Sequence, residues 1–177
     1  TTLFRSNVMT VRNYKTLLKM LFLIEEIPAW HRNLTKRLVK APKGYLVDTS
    51  LLCDLLGYEP KHLAESKPEF FGHVFENFVA TELLKQLSNK HGRITLSHFR
   101  TGDNKEVDFV LENSSGHLVA IEVKKRDNVQ AVDFYGLETL QLLAQEDFIC
   151  GVVLYTGKEV VPFSKKLWAV PVSMLWS

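Results

Sequence analysis

Two runs near the middle of the chain alternate between polar and apolar side chains. They are residues 106–112 and 117–124, and the turn-forming run 113–116 lies between them. Alternation with a period of two is typical of β-strands, and Asn, Ser and Gly favour tight turns. These residues therefore predict a β-hairpin.

The segments around this hairpin predict a mixed sheet with helices on its flanks. Residues 69–89 carry apolar side chains at helical spacing, and residues 94–99 alternate as a strand. A second helix is predicted over 129–144, with Val132 facing inward, and a continuous apolar strand follows over 148–155. Such apolar strands are typically buried on both faces. The predicted core order is therefore helix, strand, strand, strand, helix, strand.

Shorter elements are predicted on either side of this core. Asp48 is expected to cap a helix over 49–56 that stops at Gly57, and residues 58–67 are expected to form a loop. A last short strand is predicted over 167–171. Together these elements predict an α/β domain.

The N-terminal quarter of the chain predicts a helix followed by a basic arm. The helix is expected to begin at Thr10, a strand follows over 22–27, and the basic arm covers 36–40. A helix with a basic wing resembles the back half of a winged-helix module, and a wing that only packs on the core is equally compatible. We divide the chain into residues 1–44, a linker and partial winged-helix-like arm, and residues 45–177, the main domain.

Charge is distributed unevenly over a chain whose composition is that of a folded domain. The 177 residues are 46% hydrophobic and include 11 Phe, enough for a packed core, and the formal net charge is only +2. Residues 1–44 nevertheless carry nine Lys or Arg against two Glu. A basic arm beside an acidic body suits a polyanionic partner such as a nucleic acid, although solvated lysines give the same pattern.

The cysteines and apolar runs indicate a soluble protein from a reducing compartment. Cys53 and Cys150 lie in apolar surroundings without metal-ligand spacing, which predicts buried free thiols. The 6 His form no close pair, so no zinc site is predicted. The apolar run 17–24 is interrupted by Lys19 and is too short to cross a membrane, and no signal peptide is visible. We expect a cytoplasmic protein whose oligomeric state stays open.

The predicted hairpin brings two acidic residues together. With a three-residue loop that ends at Gly116, Asn113 pairs with His117 and Asp108 lies opposite Glu122. Like charges at this spacing repel unless a positive group lies between them. A divalent cation would satisfy both carboxylates, whereas a sheet with one solvated face would leave them in water.

Two further charged residues extend this candidate site. Lys124 lies two residues beyond Glu122 and faces the same way. Glu76 flanks the apolar stripe of the long helix, where an unpaired buried carboxylate would cost several kcal/mol. Pairing with a lysine, or a position at the edge of the buried face, would account for Glu76 equally well.

The element order and these acidic residues resemble the PD-(D/E)XK, or restriction-endonuclease-like, superfamily. Its signature is an Asp on the second core strand and, on the third, an acidic residue, any residue and Lys. Here these are Asp108 and, after thirteen intervening residues, Glu122-Val123-Lys124, with Glu76 on the preceding helix. The resemblance implies an αβββαβ core, in which a mixed central sheet is flanked by helices.

The same resemblance implies a nuclease that depends on a divalent metal. Asp108, Glu122 and the Val123 carbonyl would bind Mg²⁺ or Mn²⁺, and Glu76 would hold a second ion or a metal-bound water. Lys124 would orient the attacking water or offset charge on the phosphate. The basic side chains expected to contact the DNA backbone are Arg100, at a neighbouring phosphate, and Arg32, Lys36, Arg37 and Lys40, on the basic arm.

A non-catalytic binding or regulatory domain with the same fold is the alternative. Fold does not fix function, and the acidic cluster would then be an ion-pair network in which Lys124 neutralises Asp108 and Glu122. Metal binding distinguishes the two functions, because the network needs no ion.

Several short motifs also resemble a domain of unknown function that usually follows an AAA-type ATPase domain in bacterial and archaeal proteins. The resemblance spans about residues 10–176 and implies that an ATPase domain precedes residue 1. No Gly-x-x-x-x-Gly-Lys-Ser/Thr motif occurs in the 177 residues, so this chain is not expected to hydrolyse nucleotide. The motifs are residues 40–43, 48–52, 75–83, 99–101, 106–110 and 171–176.

Overall fold

The computed structural model describes residues 7–32, 41–88, 93–103 and 105–176. Within these ranges the chain forms a mixed α/β fold with two β-sheets and five α-helices. The strands are β1 Ile24–Ile27, β2 Lys43–Leu46, β3 Ile94–Arg100, β4 Glu106–Asn113, β5 Leu118–Lys124, β6 Phe148–Tyr155, β7 Val161–Pro162 and β8 Leu167–Pro171. The helices are α1 Val8–Met20, α2 Thr49–Leu56, α3 Pro60–Ser66, α4 Pro68–Ser88 and α5 Tyr135–Ala144. Short 3₁₀ helices cover Ala131–Phe134, Gln145–Asp147 and Val172–Trp176.

The larger sheet has six strands in the order β3–β4–β5–β6–β8–β7. β3, β4 and β5 are antiparallel neighbours, whereas β5, β6 and β8 run parallel to one another. A parallel pair needs a crossover connection, and α5 supplies it between β5 and β6. The predicted order of helix, strand, strand, strand, helix, strand is confirmed from α4 to β6.

The β4–β5 hairpin has the predicted turn and register. The Asn113 N–H donates to the His117 carbonyl at 3.1 Å, and Gly116 adopts a φ of 84°. The Asn113 side chain also accepts hydrogen bonds from the main-chain N–H groups of Ser115 and His117, both at 2.9 Å. The strand pairs run from Glu112–Leu118 to Phe109–Ile121, and one further step in this register would set Asp108 opposite Glu122.

β4 contains one extra residue where it passes β3. Ser97 pairs with Val110 and Phe99 pairs with Val107, so a two-residue step on β3 matches a three-residue step on β4. A β-bulge of this kind bends the strand and redirects its side chains. It breaks the alternation predicted for β4, because Val107 and Val110 pack in one core cluster and Phe109 packs in the other.

Apolar side chains cover both faces of the larger sheet. One cluster includes Leu137 and Leu140 of α5, and the other includes Val79 and Leu83 of α4. Gly136 permits the close approach of α5 to β4, because an added Cβ would collide with the carbonyl group of Glu106. The two helices thereby hold the sheet between them.

The segment that contains β1 packs on this main domain. β1 and β2 form a two-stranded antiparallel sheet, and Ile27 and Trp30 are buried in the core clusters. The Trp30 N–H donates to the carbonyl of His98 in β3 at 2.5 Å. β1 and the residues that follow it up to Trp30 therefore pack on the core, whereas the predicted basic arm over 36–40 lies outside the described residues. The predicted boundary at residue 44 falls within β2.

The elements before α4 are partly as predicted. Asp48 caps α2 by accepting a hydrogen bond from the Leu51 N–H at 3.0 Å, and Gly57 ends the helix with a φ of 70°. The loop predicted over residues 58–67 is wrong, because Pro60–Ser66 forms α3 and buries Leu63. Proline in the first turn of a helix is favourable, since its missing N–H has no helical partner there.

Two helix starts also differ from the predictions. α1 begins at Val8 with Asn7 as its cap, rather than at Thr10, and none of its residues is buried. Val132 is 52% exposed instead of inward, because it lies in the 3₁₀ helix that precedes α5. Across the described ranges, none of the helices combines the length and apolar character needed to cross a membrane.

The cysteines are free thiols in different surroundings. Cys53 of α2 is buried, as predicted, whereas Cys150 of β6 is only partly buried. Burial raises the pKa of both thiols above the ordinary value.

Candidate functional site

Asp108 lies at the bulge of β4, and a main-chain group of β5 holds its carboxylate. The Val123 N–H donates to Asp108 Oδ2 at 2.9 Å, and the residue is only 7% exposed. Because a neighbouring strand holds one oxygen, the carboxylate has a fixed orientation. Asp108 therefore contacts the strand that carries Glu122 through the main chain of Val123.

Glu122 and Lys124 lie at the end of β5 beside Asp108. The Lys124 ammonium donates to Glu122 Oε1 at 2.6 Å. Glu122 is 8% exposed, and its other oxygen, Oε2, has no hydrogen-bond partner among the described residues. Buried carboxylate oxygens are costly to leave unpaired, so this atom marks a place where a further positive or donor group would be stabilised.

The proton affinities of this pair are shifted by burial and by neighbouring charge. Burial raises the pKa of Glu122, and the charge of Asp108 raises it further, to about 8, against a smaller opposing effect of Lys124. Burial lowers the pKa of Lys124, but the charge of Glu122 outweighs it and the net shift is upward. Glu122 therefore gains or loses its proton near neutral pH, unlike an ordinary carboxyl group.

Glu76 reaches the site from α4 and is held by β2. The Tyr45 hydroxyl donates to Glu76 Oε1 at 2.6 Å. The next residue of α4, Asn77, accepts from the Leu46 N–H at 2.9 Å and donates to the Leu46 carbonyl at 3.0 Å. These bonds fix β2 against α4, so Glu76 meets side chains of β2 as well as the central sheet.

Lys43 of β2 joins the two parts of the acidic cluster. Its ammonium donates to Asp108 Oδ1 at 2.9 Å and to Glu76 Oε1 at 3.0 Å, and it lies 4.0 Å from Glu106 Oε2. Burial lowers the pKa of Lys43, but the charges of Asp108 and Glu76 together outweigh burial and raise it above its ordinary value. Lys43 is therefore a permanently charged member of the site.

Two adjoining clefts open onto these residues. The acidic cleft, of about 720 Å³, is lined by Glu76, Asp108, Glu122 and Lys124 among others. The lysine cleft, of about 630 Å³, shares Glu76 and Asp108 with it and is also lined by Lys43. The carboxylates thus form the boundary between two connected spaces.

The sequence also matches two described families. The family described as "Domain of unknown function (DUF4143)" matches residues 71–175, more than half of the chain. The chain belongs to this family. A second family, "Domain of unknown function (DUF8612)", matches residues 4–62. Lys43 and Tyr45 lie in the second match, whereas the DUF4143 match contains Asp108 and the other acidic residues, so both matched regions contribute side chains to one site.

Two curated relatives are named only as uncharacterized proteins. Uncharacterized protein Rv2008c of Mycobacterium tuberculosis and uncharacterized protein Mb2031c of Mycobacterium bovis are each 28% identical to this chain over 168 residues. The alignments cover 94% of this chain and 35% of each relative, so the chain spans about a third of the length of these proteins.

One solved structure shows a low similarity. It is the refined half-complex from the tetradecameric assembly of Thermococcus gammatolerans McrB AAA+ hexamers with bound McrC. The similarity has a TM-score of 0.41 and 13% sequence identity, and it covers 56% of this chain and 27% of that chain. A similarity at this level does not establish a shared fold.

Of Arg100 and Arg32, the two predicted DNA contacts that the structure describes, Arg100 lies at the acidic cluster. Its Nε lies 2.9 Å from Glu106 Oε1, and Glu106 lines both clefts. The Arg100 side chain is 55% exposed, so it lies at the rim of the site. The contact of Arg100 with a phosphate stays a prediction.

Arg32 lies away from the cluster. Its guanidinium donates to the Leu143 carbonyl at 2.8 Å and lies 3.8 Å from Asp147, just before β6. β6 begins beside the first residue of β5, and Lys124 is the last residue of β5, roughly 20 Å along the strand. The structure therefore does not bring Arg32 to the acidic cluster, and Lys36, Arg37 and Lys40 fall outside the described residues.

The fit of a metal ion depends on where Lys43 lies. The described ranges contain no group of three or more His, Cys, Asp or Glu side chains arranged to hold a metal together. The Lys43 ammonium lies between Asp108 and Glu76 and bonds one oxygen of each. The available donors are nevertheless all oxygens, which hard divalent cations prefer, and Glu122 Oε2 is a buried oxygen without a partner among the described residues. Asp108 and Glu122 thus fit such an ion.

Sequence reasoning missed Lys43, Tyr45 and Glu106 as members of the site. The signal for Lys43 and Tyr45 was their two-residue spacing on a short strand, which puts both side chains on one face. Which face meets Glu76 depends on how β2 docks on α4, and this docking is a tertiary contact. Glu106 was recognised as part of the acidic strand, but its position between Lys43 and Arg100 required the fold.

Proposed function

We propose that this DUF4143 chain is a nuclease-like domain of the PD-(D/E)XK type that hydrolyses DNA phosphodiester bonds with the help of Mg²⁺ or Mn²⁺. The observation that carries the proposal is the acidic cleft. Asp108 and Glu122 line it from neighbouring strands with Lys124 beside them, and one oxygen of Glu122 is buried without a partner among the described residues. A buried carboxyl group with a raised pKa, such as Glu122, that lines a cleft is typical of functional sites.

The order of elements supports the same proposal. A helix that carries Glu76 precedes three antiparallel strands, and a crossover helix leads to a parallel fourth strand. Asp108 lies on the second of these strands and Glu122-Val123-Lys124 on the third, as the superfamily signature requires. The restriction-endonuclease-like core is therefore our proposed assignment for the mixed sheet.

The proposed metal ligands are oxygens of Asp108 and Glu122, the Val123 carbonyl, and Glu76 for a second ion or a metal-bound water. When bound, such an ion would polarise the scissile phosphate and lower the pKa of an attacking water. The protein contributes orientation, because the Val123 N–H already fixes the Asp108 carboxylate.

Lys124 and Arg100 would act on the substrate itself. Lys124 keeps its proton, because the charge of Glu122 raises its pKa against the effect of burial. A fixed positive charge beside the phosphate would stabilise the negative charge that develops there. Arg100 at the rim would hold an adjacent phosphate, a contact that carries no sequence preference.

The proposed setting of this domain is a longer protein that also contains an AAA-type ATPase domain. The motif resemblance implies that arrangement, and the curated relatives are about three times as long as the matched region. DNA is proposed over RNA because the N-terminal segment is basic and resembles a wing. The ATPase domain would be the partner of the nuclease-like domain.

A cleavage assay tests the proposal directly. We expect the wild-type protein to cut DNA with Mg²⁺ or Mn²⁺, and Asp108→Ala, Glu122→Ala and Lys124→Ala each to lose about a hundredfold or more of that activity. Asp103→Ala and Lys105→Ala are matched controls, since they remove an exposed pair in the turn between β3 and β4. Wild-type-like cutting by Asp108→Ala would remove the mechanism.

A non-catalytic binding or regulatory domain is the second candidate, and one observation favours it. Lys43 pairs with Asp108 and Glu76, and Lys124 pairs with Glu122, so much of the acidic charge is neutralised by the chain itself. Calorimetry separates the two functions. Binding of millimolar Mg²⁺ or micromolar Mn²⁺ that is lost in Asp108→Asn supports the enzyme, and absence of binding by the wild type supports the binding domain.

A further inference from the structure

Lys43 is the cation that the structure places inside the acidic cluster. Its ammonium contacts Asp108 at 2.9 Å and Glu76 at 3.0 Å, and a third carboxylate, Glu106, lies at 4.0 Å. Arg100 pairs with Glu106 at 2.9 Å, so Glu76, Asp108 and Glu106 face two positive charges, and the cluster still favours additional positive charge.

The strand that carries Lys43 is fixed, but its ammonium is not enclosed. Asn77 holds Leu46 through two hydrogen bonds, and Tyr45 donates to Glu76, so β2 stays on α4. The Lys43 side chain is 26% exposed and lines the lysine cleft. Because lysine has a flexible four-carbon stem, the ammonium can move into this cleft while β2 keeps its contacts.

A second observation points to a ligand other than Lys43. Glu122 Oε2 belongs to a residue that is only 8% exposed, and it has no hydrogen-bond partner within the described ranges. Glu122 lines the acidic cleft with Asp108, whereas Lys43 lines the lysine cleft. A cation that entered between Asp108 and Glu122 would satisfy this oxygen and would repel the Lys43 ammonium from Asp108.

We propose that Lys43 is the resident counter-ion of this site, and that a divalent cation bound by Asp108 and Glu122 displaces it from Asp108. The inference rests on the proposed metal-dependent function and adds a residue that controls metal affinity. Because Lys43 lies outside the DUF4143 match and Asp108 lies within it, the region matched by the other family sets how tightly the site binds its ion.

Calorimetric titration with MnCl₂ tests the exchange without any measurement of cleavage. We expect Lys43→Met to bind Mn²⁺ about tenfold or more tightly than the wild type, because the ion no longer has to replace a charged hydrogen-bond donor. Lys43→Arg keeps the charge and should bind as the wild type does. In EDTA, Lys43→Met should melt at a lower temperature than the wild type, and Mn²⁺ should raise its melting temperature by more.

Lys15→Met is the matched control for net charge. Lys15 also lines the lysine cleft, but it pairs with Glu26 of β1 instead of the acidic cluster. Its removal should leave Mn²⁺ affinity unchanged, and an equal gain in both variants would refute a specific role for Lys43. If Lys43→Met does not fold by circular dichroism, Lys43→Gln supplies the same test, since its amide can still donate a hydrogen bond to a carboxylate.

The outcomes separate this inference from the proposed function. Equal Mn²⁺ affinity of wild type and Lys43→Met, or weaker binding by the variant, overturns the exchange and leaves the metal-dependent function standing. Binding by Lys43→Met alone would mean that Lys43 excludes the ion from the wild type, which overturns the displacement together with the metal-dependent function. Absence of binding by both proteins overturns both proposals.

Discussion

Two buried carboxylates of this chain, Asp133 and Glu122, each face a basic side chain but differ in how completely they are bonded. Asp133 Oδ1 accepts from Arg126, and its Oδ2 accepts from the Gln130 N–H at 2.8 Å. Glu122 Oε1 accepts from Lys124, while Oε2 has no partner among the described residues. Both oxygens of Asp133 therefore accept hydrogen bonds, whereas only one oxygen of Glu122 has a donor among the described residues.

The difference indicates what each carboxylate does. Asp133 closes a capping box at the 3₁₀ helix that leads into α5, so all its bonds are local and structural. Glu122 lies on β5 between two other strands, and only its Oε1 has a donor among the described residues. A native fold that keeps an unsatisfied buried oxygen beside a cleft indicates a site for a ligand, and the complete pair indicates support for the backbone.

The largest expected change in stability comes from removing Asp133, whose two oxygens both accept hydrogen bonds. Asp133→Ala should lower the free energy of unfolding by about 2–3 kcal/mol, because it leaves the Gln130 N–H and the Arg126 guanidinium without their acceptor. The Arg126 side chain is 38% exposed, so water replaces part of what it loses, and the cost stays below that of a fully buried pair. Urea denaturation measures the loss.

Mn²⁺ binding by Asp133→Ala tests whether Asp133 has a role separate from that of the metal-site carboxylates. If Asp133 is structural, the folded Asp133→Ala protein should bind Mn²⁺ in calorimetry much as the wild type does. A loss of Mn²⁺ binding equal to that of Asp108→Asn would mean that the two carboxylates do not have separate roles.

Removing the charge of Glu122 should raise the free energy of unfolding instead of lowering it. In EDTA, Glu122→Gln should raise the free energy of unfolding at pH 9 by about 2 kcal/mol, because the folded state then no longer holds an ionised, buried carboxylate. The pKa of Glu122 is raised from 4.5 to about 8 on folding, chiefly by burial and then by Asp108. Between these values the unfolded chain ionises first, so wild-type stability falls as pH rises.

The pH dependence gives this prediction its control. The difference between Glu122→Gln and the wild type should be small near pH 4.5, should grow toward pH 8 and should level off above it. Thermal melts across this range measure it. A stability difference that is constant with pH, or that grows toward acid pH, would contradict a raised pKa of Glu122 in the folded protein.

The smallest change in the free energy of unfolding is expected for Tyr45→Phe on β2. Tyr45→Phe removes the hydroxyl that donates to Glu76 at 2.6 Å but keeps the ring, which packs 5.8 Å from Phe109. It should lower the free energy of unfolding by about 1 kcal/mol, because Lys43 still bonds the same Glu76 oxygen. Urea denaturation of Tyr45→Phe measures the contribution of the hydroxyl to the free energy of unfolding. Phe78→Leu serves as a comparison for lost ring packing.

Local chemistry made much of the fold predictable. Asn113 and Gly116 specify the hairpin turn, and the turn sets the register of the strand pairs up to Phe109 and Ile121. Asp48 and Gly57 likewise mark the ends of α2. In each case the deciding hydrogen bond or backbone angle lies within a few residues in the sequence, so a single sequence contains enough information.

Where two distant segments meet, the sequence was less informative. The bulge of β4 depends on its pairing with β3, and α3 depends on Leu63 finding a buried position. Proline at residue 60 allows both a loop and the first turn of a helix, and only burial decided between them.

By itself, the sequence determined the hairpin, the order of the core elements and the acidic residues with their lysine, because period-two alternation and turn chemistry act over short distances. Only the tertiary structure decided that Lys43 of β2 lies between Asp108 and Glu76, and that one oxygen of Glu122 has no partner among the described residues. Residues 33 positions apart meet at Lys43 and Glu76. Such a contact depends on how whole elements pack, and no local pattern of side chains encodes it.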